Sequence, residues 1–276
     1  MRKIYYTLTA LTLSLTSCND LLDRMPDNRL VIDSPEKVQQ ALTNAYPQIA
    51  TTLINEFSSD NIDDIGADNI YSNFLTRETA YWQPILEYNN VDGLQNIWDY
   101  HYKAIGQANA ALDAIETTLH NDASLNPAKG EALVARAYAH FMLAYLWCKP
   151  FNPATAATDL GLPYVDKPET VVFGKYKRIS LEAFYNAIEK DLNEGLPLID
   201  NTKYSKPKFH FTKEAAHAFA TRFYLYKGDW DKVIEHADAI LGSNPQSKLR
   251  NEKVQQKSLT ALQKRGLQNP LGKYSG

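Results

Sequence analysis

The chain has 276 residues, 44% of them apolar, which is enough for one large domain or two small ones with a substantial core. Its 29 basic and 32 acidic residues leave a net charge of −3, so nothing global points to a nucleic-acid partner. Of the two cysteines, Cys18 lies close to the amino terminus and Cys148 lies within an apolar run.

The amino terminus reads as an export signal. Arg2-Lys3 supply a basic start and Ile4 to Leu15 an apolar stretch. Thr16-Ser17 supply small residues directly before Cys18. The apolar stretch is short of the roughly 20 residues that span a bilayer as a helix. The pattern resembles a bacterial lipobox, which implies a signal peptide over 1–17, cleavage before Cys18, and lipids on its thiol and new amino group. Several acyl chains anchor stably, because each buried CH₂ contributes about 0.8 kcal/mol. Residues 18–33, with Asp20, Asp23, Pro26 and Asp27, then read as an extended tether.

Ser34-Pro35 signal a helix start, a capping serine followed by proline in the first turn. Val38, Ala41, Leu42, Ala45 and Ile49 follow at helical spacing, interrupted by Pro47. Residues 55–92 show no clean period. They are rich in Asn and Asp and carry Phe57, Tyr71, Phe74, Tyr81, Trp82 and Tyr88. A long irregular segment of this kind is often functional. Its acidic cluster, Asp60, Asp63, Asp64 and Asp68 around Gly66, fails the spacing of a calcium loop and reads as a solvated acidic stretch.

Helical patterning resumes over 92–118, with Leu94, Ile97, Trp98, Ile105, Ala108 and Leu112 as its stripe. A second long helix runs from Asn126-Pro127 to about Trp147, apolar around most of its circumference and therefore central. On it, His140 reads as a hydrogen-bonded core residue and Arg136 as the partner of a buried carboxylate or carbonyls. Cys148 reads as a buried small hydrophobe. Proline-rich residues 149–179 form a second long loop, followed by an amphipathic helix from Ser180 to Ile199. Thr212 caps a helix that ends at Lys227-Gly228-Asp229, and Trp230 to Leu241 follow at once. The pair reads as an αα-hairpin with Val233, Ile234, Ala237, Ile240 and Leu241 on its inner face. Its Tyr-Lys-Gly-Asp-Trp junction resembles a tetratricopeptide repeat. From Lys248 the chain is basic, with seven Lys or Arg against Glu252 alone. Residues 246–276 read as a disordered tail, or as foreign sequence after a truncation.

Four stretches together resemble the SusD/RagB family of outer-membrane nutrient-binding lipoproteins. They are Ser17-Cys18-Asn19-Asp20-Leu21-Leu22-Asp23 with Pro26; Trp98-Asp99-Tyr100 with Ile105 and Ala108-Asn109; Gly130 to Phe141 with Gly161-Leu162-Pro163-Tyr164; and Ala220 to Trp230. The resemblance covers about residues 15–242. It implies an all-α, tetratricopeptide-like scaffold over 34–245 with long irregular ligand loops. It also implies a lipid anchor in the outer membrane facing the cell exterior, with no enzymatic activity. The implied partners are an oligosaccharide or peptide ligand and a SusC-like TonB-dependent transporter that receives it; no cofactor and no nucleic acid are implied. Members of the family are about twice as long, so the chain reads as the amino-terminal half of one. The alternative is a tetratricopeptide-type adaptor for a protein or peptide, without sugar affinity.

Sugar binding needs aromatic faces against the apolar faces of the rings, and amide, carboxylate or guanidinium groups for the hydroxyls. The 55–92 segment supplies both, and the candidate ligand residues are Tyr71, Asn73, Phe74, Arg77, Tyr81 and Trp82. Each aromatic has a competing role as core filling behind the loop. No metal site, phosphate loop or nucleophile elbow is legible: the six histidines are scattered and match no ligand spacing.

Overall fold

The computed structural model describes residues 31–63, 74–86, 90–171 and 174–249. Cys18, the signal, most of the tether and the basic tail beyond Leu249 lie outside these residues. Within them the fold is all-helical. There is no strand among the described residues, only an isolated antiparallel bridge between Leu160 and Ser180. No described helix is long and apolar enough to cross a membrane.

The helices are α1 (Pro35–Thr43), α2 (Thr52–Phe57), α3 (Phe74–Ala80), α4 (Leu94–Asp113), α5 (Asn126–Trp147), α6 (Leu181–Gly195), α7 (Lys213–Lys227) and α8 (Trp230–Leu241). Their starts follow the capping chemistry. Ser34 Oγ accepts from Lys37 N–H at 3.4 Å and Ser180 Oγ from Ala183 N–H at 3.2 Å. Thr212 Oγ1 accepts from Ala215 N–H at 3.2 Å and Asp229 Oδ1 from Lys232 N–H at 3.3 Å. The expected helix over 92–118 is α4 plus one wider π turn, Ala114–Thr118.

Helix α5 is the axis of the molecule, with α1, α4, α6 and α7 packed around it. Almost every residue from Ala128 to Ala144 is buried, as an apolar circumference requires. Phe141 of α5, Phe184 of α6 and Phe223 of α7 are fully buried in the same core. Each such side chain contributes roughly 1.5–3 kcal/mol relative to exposure. The α5–α6 crossing is close because it is made at two glycines. A Cβ on Gly130 would lie 2.7 Å from Gly195 O, and one on Gly195 would lie 2.8 Å from Gly130 O.

Two expectations are corrected. The segment 55–92 is not wholly irregular, since it contains α3. The inner face assigned to α8 is only half covered: His236 is its one buried residue, and Ile234 is exposed. Helix α8 packs chiefly on α7, so a large part of its apolar surface meets solvent. The hairpin itself is as expected. Gly228 is left-handed (φ +78°), with Asp229 N–H donating to Tyr224 O and Gly228 N–H to Leu225 O.

A candidate ligand platform on a rigid seat

Helix α3 is two turns long and has two distinct faces. Leu75, Thr76 and Thr79 are buried. Leu75 packs with Ile54 of α2 and Ile97 of α4 in a small second core, which Leu53, Ile85, Leu94, Leu146 and Trp147 enclose. Phe74, Arg77 and Tyr81 recur at i, i+3 and i+7 on the other side, and all three are exposed. Phe74 is 65% exposed, Tyr81 56% and Trp82, next in sequence, 78%. Phe74 on this short helix and Tyr81 and Trp82 directly after it are exposed, the reverse of core filling.

The end of α3 is tied down. Gln83 N–H donates to Glu78 O at 2.8 Å and Trp82 N–H to Thr79 O at 3.1 Å. These two bonds form a Schellman cap, whose penultimate position is left-handed and normally glycine. Here it is Trp82, at φ +54°. Placing a bulky L residue there costs on the order of 1–2 kcal/mol. The strand of chain beyond it is strapped back, because Glu78 Oε2 accepts from Leu86 N–H at 2.8 Å. Backbone strain thus sits at the most exposed aromatic of the platform.

Of the six residues expected to meet a ligand, Phe74, Arg77 and Tyr81 recur at helical spacing, and these three and Trp82 are exposed. Tyr71 and Asn73 lie outside the described residues, as do Asp64, Gly66 and Asp68 of the acidic cluster. Sequence reasoning missed the helix, and with it Glu78 as the strap. Nothing marks the end of α3, because the glycine that would do so is a tryptophan.

The polar residues of α5 serve the scaffold. Arg136 donates to Asp191 through Nε (2.6 Å) and Nη2 (2.7 Å), and through Nη1 to Asn109 Oδ1 and Asp166 O, both at 2.9 Å. Tyr164 hydroxyl donates to Asp191 Oδ2 at 2.5 Å. His140 is fully buried, stacked on Tyr164 at 4.0 Å between ring centres. Its Nδ1 lies 3.0 Å from Arg136 O, and its Nε2 accepts from Val165 N–H at 3.1 Å. Since a carbonyl can only accept, Nδ1 carries the proton and the ring is neutral. Burial, the largest influence, lowers the His140 pKa to about 3. Together these groups rivet residues 162–167 to α4, α5 and α6. Cys148 is half-buried and packed against the core, and burial raises its thiol pKa.

A second such clamp lies at the other end of α5. Buried Glu131 accepts from Tyr46 hydroxyl at 2.5 Å and meets His210 Nδ1 at 2.6 Å through Oε1. Its Oε2 is buried without a hydrogen-bond partner among the described residues. No group of three or more His, Cys, Asp or Glu suited to a metal occurs among the described residues.

Comparisons with known proteins agree on one family. The family model SusD-like_3, described as starch-binding and associating with the outer membrane, matches residues 20–225. SusD-like protein P2 of Formosa agariphila is 24% identical over 98% of this chain and 52% of its own length. A SusD-like protein of Bacteroides ovatus is 24% identical over 84% of this chain and 40% of its own. The chain thus spans about half the length of the curated relatives it matches. Among solved structures, a SusD superfamily protein of Bacteroides fragilis superposes with a TM-score of 0.61 at 21% identity, covering 77% of this chain and 51% of that one. One from Bacteroides thetaiotaomicron gives 0.60 at 21% identity, covering 76% and 46%. A laminarin-binding SusD-like protein gives 0.56 at 17% identity, covering 76% and 44%. At these identities the structural likeness establishes the fold alone.

Proposed function

This chain belongs to the SusD-like family, and we propose that it is a surface lipoprotein that captures oligosaccharides for import. In this reading residues 1–17 are removed, Cys18 carries the lipid, and residues 18–33 hold the helical domain of 34–245 off the outer membrane. Phe74, Tyr81 and Trp82 offer aromatic faces to sugar rings, and Arg77 donates to hydroxyls. Tyr71 and Asn73, directly before α3 in sequence, extend the same surface. The protein binds and does not catalyse, and it hands its cargo to a SusC-like TonB-dependent transporter.

The observation that supports this reading is the exposure of three aromatics on and directly after a helix whose other face packs in a core. An indole or phenol standing in water forgoes the stabilisation it would gain by burial, so its exposure is best accounted for by a ligand that covers it. A rigid seat also lowers the ordering cost of binding. The laminarin-binding relative makes β-glucans a sensible first probe.

The test is a titration of the whole chain, in detergent, with a panel of neutral oligosaccharides, alongside Tyr81→Ala/Trp82→Ala. Binding by the parent chain and loss of at least tenfold in the double variant are expected. Binding that survives both substitutions removes the platform from the site. Separately, Cys18→Ser is expected to move the protein from the membrane fraction to the soluble one.

A further inference from the structure

Among the described residues two guanidinium groups, those of Arg136 and Arg222, lie in buried or aromatic surroundings, and they differ in one respect. Arg136 has an acceptor for each of its three nitrogens. Arg222, half-buried on α7, has no hydrogen bond and no ion pair among the described residues. It is held instead by three rings. Its guanidinium carbon lies 5.8 Å from the Phe141 ring centre, 5.6 Å from Tyr145 and 5.9 Å from Tyr226. Such cladding holds the guanidinium against aromatic faces without satisfying its donors.

Arg222 faces a cavity of about 300 Å³ that Thr52, Asn55, Glu56, His101 and Tyr138 also line. These side chains suit hydroxyl groups. The hydroxyls of Thr52 and Tyr138 make no hydrogen bond among the described residues. Asn55 spends one amide N–H on Thr51 Oγ1 at 3.0 Å, which leaves its carbonyl oxygen open. His101 Nδ1 lies 2.6 Å from Ile97 O, so that nitrogen carries the proton and Nε2 is left as an acceptor. A larger groove of about 580 Å³, where α7 turns into α8, is less open chemically. There Lys227 is paired with Glu189, and Asp229 caps α8.

We propose that the Arg222 cavity is a carboxylate-recognition site that takes a uronate unit of an acidic glycan. Arg222 receives the carboxylate in a two-pronged contact, and the side chains around it receive the ring hydroxyls. The volume is at the low end for small-molecule sites, which fits one sugar ring rather than a chain. The proposal rests on the glycan-binding reading, but it uses a different set of residues from the α3 platform. Glu56, exposed at the cavity and not ion-paired to Arg222, is a negative charge that a bound carboxylate must tolerate.

The experiment is calorimetric titration of the whole chain, in detergent at pH 7, with sodium glucuronate, its methyl ester, glucose and sodium acetate. Glucuronate is expected to bind at least tenfold more tightly than the other three. Arg222→Gln should lose that preference, and Arg222→Lys should keep only part of it. Glu56→Gln should bind glucuronate severalfold more tightly, a gain that misfolding cannot imitate. Glucose or the ester binding as well as glucuronate, Arg222→Gln binding like the parent, or no glucuronate binding at all overturns the site. Acetate equal to glucuronate reduces it to an unspecific anion site and overturns the sugar assignment. A neutral oligosaccharide held through Trp82 while glucuronate fails breaks this inference alone. Failure of every sugar breaks the glycan reading beneath it.

Discussion

Trp82 offers a perturbation in which stability and binding separate. Its left-handed backbone closes the cap of α3, and its side chain is largely exposed. Trp82→Ala and Trp82→Gly both delete the indole and the small area it buries, so that contribution cancels between them. What remains is the backbone. Alanine still carries the left-handed penalty of roughly 1–2 kcal/mol, whereas glycine does not. Glycine gives back a fraction of this through its freer unfolded chain. The glycine variant is therefore expected to be about 1 kcal/mol more stable than the alanine variant. For a domain of this size that is roughly 2–4 °C in Tm. Thermal unfolding followed by circular dichroism measures it, and oligosaccharide titration should show the same loss of binding in both. An alanine variant equal to or more stable than the glycine variant refutes the left-handed Trp82. Unequal binding refutes the indole as the contact.

Other predictions concern the scaffold. Asp191→Asn leaves Arg136 buried without its counter-charge and is expected to cost about 3–5 kcal/mol, read by urea unfolding; a loss under 1 kcal/mol contradicts the clamp. Gly130→Ala drives a methyl into Gly195 O and Leu198 Cβ, each 2.7 Å away, and is expected to cost about 1–3 kcal/mol or more. Between pH 7.5 and 5.5 stability should fall by about 1.4 kcal/mol from His140 alone. Its folded pKa, about 3, lies below the unfolded value near 6.5, so the unfolded chain takes up the proton first as pH drops. His101 and His236, also lowered by burial foremost, act in the same direction. A stability flat across that range contradicts the neutral, buried assignment.

Much of this was legible in the sequence for physical reasons. Helix α5 announces itself because a helix apolar all round can only be central, and Asn126-Pro127 marks its start. The hairpin of α7 and α8 is legible because Gly228 does the ordinary work of a left-handed cap. Arg136 and His140 could be recognised as polar groups needing partners on a buried helix. Their partner Asp191 could not, since it lies 55 residues away and only the packing of α6 on α5 brings it in. Helix α3 was hidden for two reasons. It is too short to show a period, and its cap uses Trp82 where glycine would have signalled an end. The buried side of α3 is Leu75 and two threonines, whereas Phe74, Tyr81 and Trp82 are exposed and do not fill the core. For α8 the pattern of apolar residues was correct, but periodicity states which residues share a face and not how much covers it.

In the proposed function, the outward face of α3 holds a sugar. The most direct measurement is tryptophan fluorescence of the whole chain, titrated with the neutral oligosaccharide that binds best in the panel and compared with Trp82→Phe. A saturable change in emission is expected as a sugar ring covers the 78%-exposed indole. Most of this change should be absent in Trp82→Phe, while affinity, kept in part by the phenyl ring, falls only severalfold. An emission change of the same size in both proteins places the sugar beside another tryptophan and removes α3 from the site.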